Sequence, residues 1–216
     1  MAYHLPVLLD LREKLCVVVG GGDVALRKVK TLAEKCALVR VVSPDAHDEI
    51  KDMAGRGLIE WDQKLYESGD LKGSFLCVAA TNDPGINAEV RHEASVRRVL
   101  ANVVDDPEGS DYQVPSFFED GPLIVAVSTS GMSPAVSRTL RRMIQEYLGD
   151  SAGSALELIN SFRERAKKEI DDQKARVKFW EEGMNAEVLE KVREGDLGAV
   201  KNMLEDALQR FKSGNE

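Results

Sequence analysis

The segment of this sequence with the clearest chemical potential is VVVGGGDVALRK, residues 17–28, where valines lead through three glycines into a helical pattern. Gly20, Gly22 and Ala25 have the spacing G-x-G-x-x-A. In such a turn the first glycine permits a sharp bend, the second lets backbone approach a pyrophosphate, and the small third residue lets helix and strand pack closely. The helix N-terminus then presents its positive dipole end to the phosphates. We therefore predict a dinucleotide-binding turn, with a purely structural turn as the alternative.

The residues that would hold the adenine ribose follow the second predicted strand, in the sequence VVSPD. An acid usually stands at this strand end, about 20 residues beyond the glycine turn, and accepts hydrogen bonds from the ribose. Here Ser43 occupies that place and Asp45 follows two residues later. Either Asp45 binds the ribose, or Ser43 does so with backbone groups around Pro44. No arginine directly follows the strand to receive a 2′-phosphate, which favours NAD over NADP.

Polar residues also follow the fourth and fifth predicted strands, in AATNDP and ANVVDDPEGSD. Thr81 is expected to point into the crevice at the carboxyl edge of the sheet, where ligands bind in such folds. Asp83 before Pro84 also suits a helix cap. Asn102 and Asp105 end the next strand, and Asp105 could accept a proton or bind a metal at the crevice. The alternative for these acids is a solvated loop.

A second candidate cluster is VSTSGMSP at 127–134, where hydroxyl side chains surround a glycine directly before a predicted helix. Such a helix mouth favours anions. Its candidate substrate-binding hydroxyls are Ser128, Thr129 and Ser130. Three cations follow on one side of the helix, at Arg138, Arg141 and Arg142. In a chain of net charge −8, these cations could receive the carboxylates of a substrate. The alternatives are exposure to solvent and pairing with acids of a neighbouring helix.

The elements that must position these residues alternate between apolar strands and amphipathic helices up to about residue 110. The predicted strands are 15–20, 38–44, 58–64, 74–81 and 100–105. The helical patterns between them are 23–36, 47–57 and 83–98. Strand–helix alternation with short loops predicts an α/β fold with a parallel, doubly wound sheet of the Rossmann type.

The pattern changes after residue 111. Strand-like runs at 112–131 flank Gly121-Pro122, a turn signal, and a helix is predicted over 133–149 with Ser133 as its cap. From about residue 150 the sequence is helical and highly charged, with no strand candidates. We therefore expect a small helical C-terminal domain.

Composition excludes several classes of function. The acidic balance argues against general nucleic-acid binding, which needs a basic footprint. The sequence has no run of about 18 apolar residues that would predict a transmembrane helix, and its N-terminus does not resemble a signal peptide, so we expect a cytoplasmic protein.

Cys16 and Cys77 lie in apolar runs and Cys36 is distant from both, which favours reduced thiols over disulfides. The scattered cysteines and histidines form no zinc-binding pattern, and we expect no permanently bound metal.

Several motifs occur together and in order: HLPVLLDLREKLCVVVGGGDVALRK, AATNDPGIN, NVVDDP, VPSFF and GPLIVAVSTSGMSPAVSRTLRRMIQ. They resemble the precorrin-2 dehydrogenase/sirohydrochlorin ferrochelatase family, which includes the N-terminal module of siroheme synthase. The similarity runs from about residue 3 to 148, and RVKFWEEGMN at 176–185 still resembles the family's helical C-terminal region. The resemblance implies three parts of a homodimeric protein: an NAD-binding Rossmann domain at 1–111, a dimerisation segment at 112–149 and a helical domain at 150–216 that helps close the active site.

The resemblance also implies a reaction, the NAD⁺-dependent oxidation of precorrin-2 to sirohydrochlorin, and in some members the insertion of Fe²⁺; the sequence does not choose between Fe²⁺ and Co²⁺ as a metal substrate. The family's important aspartate matches Asp105. Its cofactor contacts match the glycine turn with Asp23 and Val24, and the turn at 43–45. The chain carries no counterpart of the family's methyltransferase domain, so we do not expect it to make precorrin-2 itself.

Clustered arginines and a helix N-terminus suit this polycarboxylate substrate. The alternative hypothesis is a regulatory module that binds NAD without catalysis and whose helical tail binds a protein. Retention of Asp105 and of the arginines on the predicted helix favours the enzyme, since a sensor needs neither.

Overall fold

A five-stranded parallel sheet organises the first half of the chain in the computed structural model, which describes residues 4–212. Its strands lie in the spatial order β3-β2-β1-β4-β5. Their bounds are β1 Leu15–Val19, β2 Leu38–Val42, β3 Glu60–Asp62, β4 Leu76–Ala79 and β5 Leu100–Val103. The connecting helices are α1 Asp23–Glu34, α2 Asp48–Gly55 and α3 Pro84–Arg97. The predicted Rossmann-type sheet is confirmed, with strands a few residues shorter than the apolar runs.

The valine-rich strand β1 is buried because helices cover both faces of the sheet. Val18 packs on one face with Val29 of α1, whereas Val17 packs on the other with Val90 of α3. A central parallel strand therefore needs apolar residues at every position rather than at alternate ones. Cys16 faces the first core, and burial raises the pKa of its thiol to about 11, so the thiol stays protonated and unreactive.

All three cysteines are free. Cys16 and Cys77 are buried, as their apolar surroundings predicted, and Cys36 is exposed. No helix among residues 4–212 is long and apolar enough to span a membrane.

The strand register brings the predicted site residues to one edge of the sheet. Val19 pairs with Val42 on one side and with Ala79 on the other, and Ala79 pairs with Val103. The four strands therefore end at the same level. The loops that follow them begin at residues 20, 43, 80 and 104, so they are neighbours at this carboxyl edge.

The remaining residues form a second unit. The chain divides into Met1–Val114 and Pro115–Glu216, so the hairpin and all later helices belong together. The elements of the second unit are β6 Ser116–Asp120, β7 Leu123–Val127, α4 Pro134–Leu148, α5 Ala152–Glu169, α6 Gln173–Gly183, α7 Ala186–Glu194 and α8 Leu197–Lys212. The two strands are antiparallel and turn at Gly121, whose φ is +52°. The three-part division predicted from the sequence stays a prediction.

The helices of the second unit share an apolar core. Phe162 of α5, Phe179 of α6 and Leu204 and Leu208 of α8 are almost completely buried in one cluster. The rings of Phe179 and Trp180 meet edge to face, with their centroids 4.8 Å apart. The tail therefore folds through interlocking aromatic and aliphatic side chains, although its sequence is highly charged.

We predict that Phe179→Ala lowers the free energy of unfolding of the second unit by about 3–5 kcal/mol, because it leaves a cavity at a fully buried position. Val177→Ala, at a half-exposed position of the same helix, should change this energy by less than about 0.5 kcal/mol. Urea denaturation followed by circular dichroism measures both. Equal effects of the two substitutions would contradict the position of Phe179 in this core.

Candidate functional site

The glycine turn after β1 is shaped by close approach to the neighbouring loops. A Cβ on Gly20, whose φ is +118°, would lie 2.4 Å from the carbonyl oxygen of Ala80. A Cβ on Gly21 would lie 2.2 Å from the carbonyl oxygen of Asp45. Only glycine fits at either position. Gly21 stands at a variable place in the G-x-G-x-x-A motif, so the motif alone did not indicate it.

Gly22 differs from the other two glycines because a Cβ built on it meets nothing within 4 Å. Gly22 is the N-cap of α1 and has no side chain to accept from the first turn, whereas α2, α3 and α4 are capped by His47, Asp83 and Ser133. The first hydrogen bond within α1 runs from Leu26 N–H to the Gly22 carbonyl oxygen, at 2.9 Å. The preceding N–H groups therefore face the open space, which is the arrangement that holds an anion.

Asp23 and Val24 form the first turn of α1, as predicted for cofactor contacts. The Asp23 side chain is exposed and the Val24 side chain is partly buried. Their backbone N–H groups can bind a diphosphate. The Asp23 carboxylate cannot, because it is an anion like the diphosphate. The empty volume at Gly22 and the uncapped helix fit a dinucleotide pyrophosphate.

Ser43 and Asp45 were the alternatives for the ribose, and their environments differ. Ser43 is 3% exposed, and Trp61 Nε1–H donates to its carbonyl oxygen at 3.1 Å. The Asp45 carboxylate is exposed; its Oδ1 accepts from Ala46 N–H at 2.8 Å and lies 2.9 Å from Lys51 Nζ. The hydrogen bond from Lys51 lowers the pKa of Asp45, so the carboxylate stays ionised at neutral pH. This geometry favours Asp45 as the ribose acceptor and gives Ser43 a packing role.

Two neighbours complete this part of the site. Pro44 is exposed, and its carbonyl oxygen lies 3.4 Å from Gln63 Nε2. His47 was missed by the sequence analysis, although it ties the glycine turn to α2: its backbone N–H donates to the Gly21 carbonyl oxygen at 2.7 Å. Its Nδ1 accepts from Glu49 N–H at 3.1 Å and caps α2. A residue before the acidic start of a helix was the available signal for this cap.

Thr81 belongs to a network that holds the loop after β4. Its hydroxyl donates to Asn87 Oδ1 at 2.8 Å, and Asn87 Nδ2 donates back to the Thr81 carbonyl oxygen at 3.0 Å. Asp83 caps α3 by accepting from Gly85 N–H at 2.8 Å, as predicted. Asn87, inside the helix, was not predicted. The network fixes the Ala80 carbonyl group against which Gly20 packs.

Asp105 lies in the loop after β5 and is the one acid of that loop with a positive φ. Its φ is +61°, a left-handed conformation in which Asp and Asn are tolerated better than most residues. Its carboxylate is exposed and receives no hydrogen bond or ion pair from the residues that the structure describes.

Two neighbouring acids, Asp106 and Asp111, have structural partners instead, whereas Glu108 is exposed and makes no hydrogen bond or ion pair with the described residues. Asp106 Oδ1 accepts from Gly109 N–H at 2.9 Å. Asp111 accepts from Ala101 N–H at 3.0 Å and pairs with both terminal nitrogens of Arg91. The loop is thus fastened at both ends around Asp105. Asn102 also supports it, because Asn102 Nδ2 donates to the Tyr112 carbonyl oxygen at 3.1 Å.

The hydroxyl cluster lies in the second unit. Thr129 Oγ1 is 3.0 Å from Ser137 Oγ, and accepts from Ser133 N–H at 3.0 Å. Ser128 Oγ accepts from the N–H of Ser130, whose φ is +52°. Thr129 and the buried Ser137, which was not predicted, therefore brace the loop, whereas Ser128 and Ser130 are exposed to solvent.

The arginines on α4 are mostly uncompensated. Arg138 is exposed and makes no ion pair with any residue in the described range. Arg141 Nη1 donates to the neutral Gln145 Oε1 at 2.6 Å, and Arg142 reaches Glu146 only at 3.8 Å. The predicted alternative, pairing with acids of another helix, is therefore not seen for Arg138 or Arg141. The residues from Gly20 to Asp105 share one sheet edge. In the other unit Ser128, Thr129 and Ser130 precede α4, and Arg138 and Arg141 follow along that helix.

Comparison with known proteins places the chain in a family. A family model described as "Putative NAD(P)-binding" matches residues 7–116, and one described as "Sirohaem biosynthesis protein central" matches residues 120–147. A third, described as "Sirohaem synthase dimerisation region", matches residues 151–208. The chain belongs to this sirohaem biosynthesis family. The resemblance found in the sequence is confirmed, although the dimerisation description falls on a later segment than the predicted 112–149.

Individual relatives agree with the family models. The chain is 35% identical to a siroheme synthase of Nitrosococcus oceani over 95% of its own length and 44% of that protein. It is 36% identical to siroheme synthase 1 of Serratia proteamaculans over 99% of its length and 45% of that protein. The chain thus spans less than half the length of these relatives. A solved structure named "SirC, precorrin-2 dehydrogenase" shares the fold, with a TM-score of 0.76, 24% identity, and 97% and 100% coverage of the two chains.

We predict that Gly22→Asp abolishes NAD⁺ binding without lowering the melting temperature. The new Cβ would lie in open space, and the carboxylate would accept from the first N–H groups of α1 as a cap, taking the place of the diphosphate and repelling it. Gly55→Asp, at another position with open space beyond its Cα, is the control and should bind NAD⁺ normally. Isothermal titration calorimetry measures both, and unchanged affinity in Gly22→Asp would contradict this placement of the pyrophosphate.

Proposed function

We propose that this chain oxidises precorrin-2 to sirohydrochlorin in sirohaem biosynthesis, with NAD⁺ as the hydride acceptor. The observation that carries the proposal is the presence, at one edge of the sheet, of an uncapped glycine turn and an exposed carboxylate, Asp105, without a partner in the described residues. The names of the relatives support the same reaction, because the curated ones are siroheme synthases and the structural one is a precorrin-2 dehydrogenase.

The residues at the sheet edge divide the binding of NAD⁺ between them. The backbone N–H groups at Gly22, Asp23 and Val24 would hold the diphosphate at the N-terminus of α1. Asp45 would accept hydrogen bonds from the adenine ribose, and the backbone beside Thr81 would border the nucleotide. When bound, NAD⁺ supplies the acceptor for the hydride that leaves the macrocycle.

Asp105 is the proposed proton acceptor. Oxidation of precorrin-2 removes a hydride and a proton, so the proton needs a base close to the macrocycle. The Asp105 carboxylate is free of partners in the described residues and exposed, so it can take this proton and pass it to water. Asn102 and the Arg91–Asp111 ion pair keep its loop in place, and their contribution is positional.

The cluster on the second unit would bind the carboxylates of the macrocycle. Arg138 and Arg141 carry charges that no described acid neutralises, and a guanidinium binds a carboxylate through paired hydrogen bonds. Ser128 and Ser130 add exposed hydroxyls at the mouth of α4, and Thr129 supports their loop. A polyanionic substrate fits this group of residues better than a neutral one does.

We also propose that the chain inserts Fe²⁺, or Co²⁺, into sirohydrochlorin, with the metal ion as a substrate. The nitrogens of the macrocycle supply the ligands and lose protons as the metal enters, and Asp105 can accept one of them. In residues 4–212 no group of three His, Cys, Asp or Glu side chains is arranged to hold a metal ion. The proposal therefore assigns metal ligation to the macrocycle and proton acceptance to the protein.

A homodimer is proposed from the exposed apolar face of α4. The side chains that form this face are Val136, Leu140, Met143, Ile144 and Tyr147, all at least 36% exposed. Their spacing places them on one side of the helix, and an apolar stripe of this kind is typical of a protein interface. The proposed occupant is a second copy of the chain. The family model described as a dimerisation region supports self-association, but it matches residues 151–208, so the choice of α4 rests on its exposed apolar side chains. We further propose a cytoplasmic location, which the three free thiols support.

We predict that Asp105→Asn lowers kcat for precorrin-2 oxidation by about 100-fold or more, because the proton acceptor is lost. The affinity for NAD⁺ should not change, and asparagine tolerates the left-handed backbone. Glu108→Gln removes an exposed charge from the same loop and should keep wild-type activity. The assay follows NADH and sirohydrochlorin absorbance together, and a second stage adds Fe²⁺ or Co²⁺ to sirohydrochlorin without the nucleotide.

Two results of this assay would contradict the proposal. If wild-type protein binds NAD⁺ but forms neither NADH nor sirohydrochlorin, the regulatory module is the better interpretation. If Asp105→Asn oxidises precorrin-2 at the wild-type rate, Asp105 is not the proton acceptor.

We predict that Leu140→Glu converts the dimer into a monomer, because it places a charge in the centre of the apolar face of α4. Ala135→Glu, on the same helix but outside that face, should leave the dimer intact. Analytical ultracentrifugation distinguishes the two states. A Leu140→Glu variant that sediments as a dimer would locate the interface elsewhere.

A further inference from the structure

A cation lies against the carboxylate that is proposed to bind the ribose. Lys51, on α2, places its Nζ 2.9 Å from Asp45 Oδ1. The second acid near this lysine is Asp48, whose Oδ1 is 3.6 Å away and whose side chain is almost fully exposed. The sequence analysis found no arginine after β2, but a lysine nine positions after the strand is brought there because α2 packs beside the loop.

The two charges suit different nucleotides. A carboxylate accepts hydrogen bonds from the ribose 2′-hydroxyl of NAD, and it repels the 2′-phosphate of NADP. A cation attracts that phosphate, and lysine binds phosphate as a point charge. Asp45 therefore provides an acceptor for a ribose hydroxyl, and Lys51 beside it provides a cation that could bind a phosphate. The Asp45 carboxylate neutralises this cation and so masks its attraction for phosphate.

Stability gives little reason for this ion pair. The Asp45 side chain is 84% exposed and that of Lys51 is 40% exposed. Exposed ion pairs contribute little to the free energy of unfolding, because water screens the charges and the side chains lose entropy. Asp45 does have structural roles, since its carbonyl oxygen packs against Gly21 and its Oδ1 accepts from Ala46 N–H at 2.8 Å, but neither contact needs Lys51.

We propose that the Asp45–Lys51 pair decides between NAD and NADP: Asp45 binds the ribose of NAD and masks Lys51, which would otherwise receive a 2′-phosphate. The inference rests on the dinucleotide site of the proposed function and adds its specificity. Removing a single charge, that of Asp45, should turn the site towards NADP.

The surrounding charges support this assignment. Glu49 is already paired with Lys30, so it does not compete for Lys51. His47 caps α2 through Nδ1 and its Nε2 lies 3.7 Å from Asp23 Oδ1, so it does not compete for Asp45. The pairing lowers the pKa of Asp45 and raises that of Lys51, so both groups are charged throughout the neutral range. The preference for NAD is therefore expected not to depend on the titration of either Asp45 or Lys51 near neutral pH.

Isothermal titration calorimetry with NAD⁺ and with NADP⁺, in the absence of any tetrapyrrole, tests the proposal. Asp45→Asn should weaken NAD⁺ binding and strengthen NADP⁺ binding, each by about tenfold, the size of one charged hydrogen bond. Asp45→Asn with Lys51→Met should lose the gain for NADP⁺. Asp48→Asn is the matched control, because it removes an exposed acid near the same lysine, and it should keep the wild-type preference.

Three outcomes would overturn the proposal. In the first, Asp45→Asn keeps the wild-type ratio of the two affinities. In the second, the double variant binds NADP⁺ as tightly as Asp45→Asn alone, which would exclude Lys51. In the third, the wild type binds neither nucleotide, which would overturn the dinucleotide site as well. A different result would contradict the proposed function alone: the wild type prefers NAD⁺, Asp45→Asn shifts the preference towards NADP⁺ as predicted, but the wild type does not oxidise precorrin-2.

Discussion

The close approach of backbone to backbone around the first glycine turn is the contact on which the site depends. Gly20 packs on the carbonyl group of Ala80, and Gly21 on that of Asp45, at distances that leave no room for a side chain. This contact joins the ends of β1, β2 and β4 into one surface. Because the glycine turn is held by backbone groups, the side chain of Asp45 remains exposed at that surface.

Polar residues of the two candidate clusters, one in each unit, divide into those that hold the local structure and those that remain available for a ligand. Asn87, Asp111 and Ser137 have their hydrogen-bonding groups engaged by neighbours within their own unit. Asp105 and Arg138 have no such partner in the described part of the chain. Because these charges are exposed, water solvates them in the free protein, and they remain available to a ligand.

The sequence predicted the sheet, its helices and the hairpin because their signals are local: apolar runs, glycine turns and helix caps. It also indicated Gly20, Gly22 and Asp105, since motif spacing is visible in one dimension. It left Ser43 and Asp45 as alternatives for the ribose. Our proposal of Asp45 uses the burial of Ser43 under Trp61 from the neighbouring strand, which is visible only in the fold. Lys51 and the backbone hydrogen bond from His47 to Gly21 were missed because they arise only when separate segments meet. The cap by His47 had a local signal, and the contact of Asn87 with Thr81 depends on how the loop bends back onto α3.

The uncapped start of α1 has a thermodynamic consequence. Its first N–H groups have no side-chain acceptor at the N-cap, so in the free protein their hydrogen bonds go to solvent. A diphosphate that accepts those bonds completes the helix, as a capping serine does elsewhere in the chain. Nucleotide binding therefore stabilises the helix that it contacts, and saturation with nucleotide raises the free energy of unfolding of the Rossmann unit.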